Sequence, residues 1–288
     1  MDRAELRRQG EAMLKVLFGS AAQPAGLANL LTEAAYHYSC IVDRESIFSG
    51  NCRNQPLNVA TKRHLSVLCN CSAMAASGRV PGLALPDRMT CTIAALATGP
   101  RLKTLRRHLS AALNLGLTTE AIREILVQAS LYAGFSAAEE TLELAGEVFA
   151  ARGLQFPSDP PEDVSLEALD QRGATLMATL HGSRATQGYA APDNEVTGAL
   201  YGSAIRYGYG EIWFRPGLEP PQRALVAIAG FTALRLPEQV AKFGQSALSL
   251  GLTRTQVIEA IIQTAPYTGF PPALNALGAI STVFGAAG

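Results

Sequence analysis

Displacing the 288-residue sequence against itself by 135 positions aligns residues 81–149 with 216–284 without a gap, and 22 of those 69 positions are identical. Pro81-Gly82-Leu83 recurs as Pro216-Gly217-Leu218, and Arg88 as Arg223. Leu115-Gly116-Leu117-Thr118 recurs as Leu250-Gly251-Leu252-Thr253, and Tyr132, Gly134 and Phe135 recur as Tyr267, Gly269 and Phe270. A constant offset over so long a stretch is the mark of tandem duplication, and it restricts the chain to folds in which one unit is built twice. The front ends correspond more loosely: Arg8 through Gly19 resembles Arg172 through Gly182, and the first copy carries about 28 extra residues within 20–58. Gln155 to Asp163, with three prolines and several acids, reads as a linker. The expected organisation is a first domain over 1–154, a linker over 155–164 and a second domain over 165–288.

Each copy reads as helical. Ile122, Ile125, Leu126 and Ala129 recur at helical spacing over 119–131, as do Val257, Ile258, Ile261 and Ile262 in the second copy. Thr118 and Thr253 stand where an N-cap belongs, and Gly116 and Gly251 where the preceding helix should stop. His181-Gly182 reads as a helix end, with His181 capping carbonyls. Strand-like alternation with regular turn signals is absent. The fold class expected is all-α, with about six helices in each of two similar domains.

Charge narrows the partners. Lys+Arg and Asp+Glu number 24 each, so the formal charge is zero, which disfavours nucleic acid and anionic membranes as ligands. No apolar run reaches the ~18 residues of a spanning helix, and the charged amphipathic start from Met1 to Arg8 does not resemble a signal peptide. A cytoplasmic protein is the expectation. Charged residues make up only 17% of the chain, and so little charge fits helices packed on both faces within a homo-oligomer.

The string Gly210-Glu211-Ile212-Trp213-Phe214-Arg215-Pro216-Gly217-Leu218, followed by Arg223, Gly251-Leu252-Thr253, Gln263 and Tyr267-Thr268-Gly269-Phe270-Pro271, resembles the carboxymuconolactone decarboxylase family. The first copy repeats the frame with Arg88, His108, Gly116-Leu117-Thr118, Gln128 and Tyr132-Ala133-Gly134-Phe135. The resemblance implies two tandem alkylhydroperoxidase-like helical domains that form an intrachain pseudo-dimer, three chains making a hexamer-like ring. It also implies an enzyme with no cofactor and no metal. Such an enzyme would decarboxylate or rearrange an anionic, carbonyl-containing small molecule through an enolate, in a role such as secondary metabolism.

The redox branch of that superfamily carries Cys-x-x-Cys one turn before a histidine. With His108 at the family histidine, the cysteine positions hold Arg101 and Thr104, and Leu236 and Gln239 in the second copy. The redox pair is missing from both. His108 sits in the basic stretch Arg101–His108, where neighbouring cations would lower its pKa and an imidazole near neutrality could move a proton; an exposed place on a solvated helix face is the alternative. Phe243 replaces it in the second copy. Conversely Trp213, Arg215 and Glu211 face Gly78, Val80 and Ala76. This complementary loss suggests one composite site, or a catalytic and a structural copy. The candidates for catalysis are therefore His108, Arg88 and Cys91, and those for substrate binding are Arg215, Trp213, Glu211, Arg223 and Thr104. Either shared arginine, Arg88 or Arg223, could anchor a carboxylate or stitch helices together. Cys91, one turn beyond Arg88, could be an acidified thiol or a buried small hydrophobe; Val226 is its counterpart. Cys69-x-Cys71 lacks a second ligand pair, and Cys40, Cys52, His37 and His64 have no motif support. Thiol-dependent reductive chemistry and a non-catalytic ligand-binding assembly remain the rival functions.

Overall fold

A computed structural model describes residues 82–99, 101–158, 164–191 and 193–285, and every regular element among them is helical. The first copy contributes α1 (Leu85–Ala97), α2 (Leu102–Asn114), α3 (Thr119–Ala133) and α4 (Phe135–Ala150). The second contributes α5 (Leu166–His181), two 3-10 turns over Gly182–Thr186 and Gly188–Ala190, and α6 (Gly198–Ser203). A π-helical segment (Ala204–Glu211) and a 3-10 turn (Ile212–Phe214) follow. Its last four helices, α7 (Pro220–Ala233), α8 (Pro237–Ser249), α9 (Arg254–Thr268) and α10 (Phe270–Gly285), repeat α1 to α4. The insertion over 20–58 and the cysteines and histidines at 37, 40, 52, 64, 69 and 71 lie outside the described residues. Among the described residues no helix is long and apolar enough to cross a membrane.

The local signals act as their chemistry dictates. The Thr118 hydroxyl accepts the Ala121 amide at 3.1 Å. Thr253 does the same for Gln256 and receives that side chain on its own amide, closing a capping box. At the far ends of α2 and α8 the Leu117 and Leu252 amides reach back to the Ala112 and Ala247 carbonyls, 3.0 Å in both copies. That closure is the Schellman pattern.

The core lies between the copies. Residues 88–97 of α1 and 223–232 of α7 are all buried, and the two helices pack on each other while α3 lies on α7 and α9 on α1. A helix buried on every side belongs in an interior. Leu96 is completely buried here, and its truncation to Ala would cost about 2–5 kcal/mol. On the outer side of the second copy, α5 lies against the π-helical segment so closely that only glycine fits. A Cβ at Gly173 would meet the Ile205 carbonyl oxygen at 2.4 Å, and one at Gly210 would meet that of Leu169 at 2.1 Å.

Candidate functional site

The two shared arginines cross between the copies. Arg88 donates to Glu259 at 2.9 Å, to Gln263 at 3.4 Å and, through Nε, to the Leu83 carbonyl at 3.1 Å. Arg223 mirrors it 135 residues on, donating to Glu124 at 3.2 Å and Gln128 at 3.1 Å, and to the Arg215 carbonyl at 2.6 Å. Both arginines are fully buried. Burial pushes the Glu259 carboxyl up while Arg88 opposes it, and burial pulls Arg223 down against the pull of Glu124. These groups are spent on joining the copies. Glu124 also accepts from Arg215 at 3.0 Å and from Arg123 at 3.0 Å, so three guanidiniums surround one buried carboxylate. Arg215 is the most open of the three, with its side chain 15% exposed.

His108 faces inward. Lys103, Arg106 and Arg107 of α2 are exposed, whereas His108 is 1% exposed, so the basic stretch faces solvent and its one imidazole does not. His108 Nδ1 lies 2.8 Å from the Thr104 carbonyl oxygen. A carbonyl can only accept, so Nδ1 carries the proton and Nε2 keeps its lone pair. Nε2 is buried and, among the described residues, has no hydrogen-bond partner. The ring stands edge-on to Tyr267 of the second copy, with centroids 5.3 Å apart. Burial, reinforced by the Arg107 charge, pushes the pKa down to about 4 although the Thr104 contact resists. His108 is thus neutral at pH 7 and an acceptor at Nε2. Thr104 serves it through the main chain.

In the second copy Phe243 holds the corresponding place, and a cavity of about 170 Å³ opens beside it. His181, Arg184, Tyr209, Gln239 and Lys242 line it. His181 ends α5, as its sequence indicates, but the ring reaches into this cavity and packs edge-on to Phe243 at 5.2 Å. Its Nδ1 is 3.0 Å from Ser246 Oγ and its Nε2 3.5 Å from the Tyr209 hydroxyl. Ser246 has one proton and two carbonyls to give it to, those of Leu180 and Lys242. Its oxygen therefore accepts from Nδ1, and Nε2 again holds the lone pair. Burial, with Arg184 and Lys242 nearby, pushes the His181 pKa down to about 4. Trp213 is buried and stacks on Tyr209 at 6.2 Å, so it supports a cavity wall; neither Trp213 nor Glu211, which closes the π-helical segment, lines the cavity itself.

The expected residues are therefore not brought into one composite site. His108 belongs with Tyr267 and, through α9, with the Arg88 pair; Arg215, Arg223 and Trp213 belong to the opposite half. Cys91 is fully buried in the core, and desolvation, with Asp87 adding to it, pushes its thiol up despite the neighbouring Arg88. The acidified thiol suggested by that neighbour does not form, because burial outweighs the cation. Among the described residues no group of three His, Cys, Asp or Glu could hold a metal. Glu124, Glu259 and Tyr267 stand out in the sequence only by their identity between copies, which names no role, and His181 reads there as a helix cap.

A sequence model of the carboxymuconolactone decarboxylase family matches residues 70–147 and 199–282, once in each copy. The chain is 39% identical over 74 residues to 4-carboxymuconolactone decarboxylase of Acinetobacter baylyi, a match that spans 26% of this chain and 55% of that protein. A crystal structure described as a gamma-carboxymuconolactone decarboxylase subunit, from Burkholderia xenovorans, aligns over 100% of this chain and 99% of its own. The TM-score is 0.50 at 17% identity, a likeness of fold.

Proposed function

The chain belongs to the carboxymuconolactone decarboxylase family, and from that premise we propose that it is a lyase acting through an enolate on a small carboxylated carbonyl or lactone compound, without a cofactor. The observation that carries the reading is His108 Nε2, a buried acceptor with no partner among the described residues. Leaving such an atom unsatisfied costs about 1–3 kcal/mol, and a group kept at that cost calls for a role. In decarboxylation the bond from carbon to the carboxylate breaks and CO2 leaves. The bonding pair passes into the conjugated carbonyl, and a proton then returns to carbon. Water is the source of that proton: His108, neutral and fixed by Thr104, takes it at Nε2 and passes it to carbon next to Tyr267, and the hydroxide left behind ends with the CO2 as bicarbonate. Arg88 is a positioning residue, since it braces α9 through Glu259 and Gln263.

The neutral state of His108 also favours a second reading. A neutral imidazole is a base before it is an acid, and it can take a proton from carbon and return it elsewhere, which is isomerisation with no loss of CO2. A panel of carboxylated lactones and unsaturated keto acids, followed in D2O for CO2 release and for deuterium entering the product, separates the two. CO2 release supports the lyase; deuterium uptake alone supports the isomerase. If the folded enzyme does neither across the panel, both readings fail.

A further inference from the structure

The second copy has lost the histidine of its repeat unit, yet a cavity lies at that place. The cavity is bordered by Gln239 and Phe243, the counterparts of Thr104 and His108, and an imidazole from a different helix enters it. His181 comes from α5, outside the matched family segment, and its ring covers Phe243. Two cations, Arg184 and Lys242, line the same space, and among the described residues no carboxylate does. At roughly 30 Å³ per water, the volume suits a carboxylate head.

A second, larger cavity of about 400 Å³ adjoins it. Tyr201 lines both, with its hydroxyl 4.0 Å from Met177 Sδ. The larger chamber is walled by Met177, Ile205 and a set of alanines and glycines, and among the described residues none of its lining is charged. A charged head space that shares the Tyr201 wall with an apolar chamber suits an amphipathic ligand. We infer that the second copy holds a binding site of its own, separate from His108, for a carboxylate with an apolar extension. Its head would lie between Arg184 and Lys242, and its body beside Met177 and Ile205.

Butyrate and octanoate serve as probes, added to the full chain while the His181 Cε1–H resonance, identified by its loss in His181→Gln, is followed by NMR. Both acids should move it saturably. Octanoate should bind at least tenfold more tightly, since each buried methylene is worth roughly fourfold. Lys242→Met should weaken both about tenfold while Lys242→Arg retains binding. Gly202→Leu, at a helical position where a Cβ meets nothing within 4 Å, should erase the advantage of octanoate only. His108→Gln should change none of this, so that failure of the proposed function and failure of this site read differently. A resonance indifferent to both acids, binding unaffected by Lys242→Met, or binding lost in His108→Gln would overturn the separate site. Equal affinity for the two acids would overturn the apolar chamber.

Discussion

The ring of His181 stands edge-on to Phe243 at 5.2 Å, so the residue that replaced the repeat's histidine is itself the floor for another. Among the described residues each copy holds one imidazole, by different routes. His108 rises from α2 and is held by a carbonyl one turn back; His181 leaves the end of α5 and is held by Ser246. Both are neutral with Nε2 as the acceptor, and each lies beside a tyrosine, Tyr267 or Tyr209. The duplicated scaffold is joined by two equivalent arginine–glutamate crossings, which leave the outer parts of each copy free to differ.

Stability should fall with acid because of these histidines. Imidazole in the unfolded chain titrates near 6.5, whereas folded His108 and His181 do so at about 4. Between those values the unfolded state binds more protons, so stability is whole above pH 6.5, declines as pH drops toward 4, and levels below it. For the buried His108 the gap corresponds to about 3 kcal/mol. The more open His181 contributes less. Glu259 and Asp87, both raised by burial, work in the opposite direction, since protonating them favours the folded state. Urea unfolding of the wild type and His108→Gln at pH 7.5, 6 and 4.5 isolates the histidine: the two should converge in slope only above pH 6.5.

The arginine crossings should differ in how much redundancy they contain. Arg88→Met leaves Glu259 buried without its guanidinium and should cost about 3–5 kcal/mol. Arg215→Met leaves Glu124 with Arg123 and Arg223, and should cost about 1 kcal/mol. Glu124→Gln removes the carboxylate that three cations share and should exceed both. Denaturant midpoints rank them, and an Arg215→Met loss equal to that of Arg88→Met would refute the shared-carboxylate description.

Cys91 should be inert. In native protein treated with iodoacetamide, peptide mapping should find it unmodified, and it should react only after unfolding. Cys91→Val, which copies Val226, should change stability by less than about 1.5 kcal/mol and leave turnover intact. Loss of activity in the folded variant would revive thiol chemistry.

Association is the expected state. Phe135 and Phe270, at equivalent places in the two copies, are 68% and 46% exposed, and Leu274 is 64% exposed. Apolar rings displayed in both copies suit contacts between chains. Light scattering at micromolar concentration should give the mass of three chains, and Phe270→Glu should reduce it. A wild-type monomer would contradict the ring arrangement.

Much of this architecture was legible in the sequence, and the reasons for the rest are physical. The offset of 135 residues revealed the duplication, and Thr118, Thr253, Gly116 and Gly251 marked the helix ends, because caps and turns depend on neighbours within a few residues. The pairing of Arg88 with Glu259 was not legible, since identity between copies marks a shared constraint without naming the partner 171 residues away. His108 was expected among cations and lies with its back to them: one helix face carries Lys103 and Arg107, the other turns inward. His181 was placed correctly at a helix end, but its direction depends on how α5 docks on the π-helical segment through Gly173 and Gly210. A π-helix has no clear local signature, so neither the docking nor the cavity could be read from spacing.

The most direct measurement is turnover by His108→Gln, compared with wild type on whichever carboxylated substrate of the panel the wild type consumes. Gln can still donate to the Thr104 carbonyl but cannot accept a proton at neutral pH. A proton relay at His108 predicts a folded variant with at least a 100-fold loss of turnover, the lower range of general acid–base contributions. Wild-type turnover in a folded His108→Gln protein would contradict it.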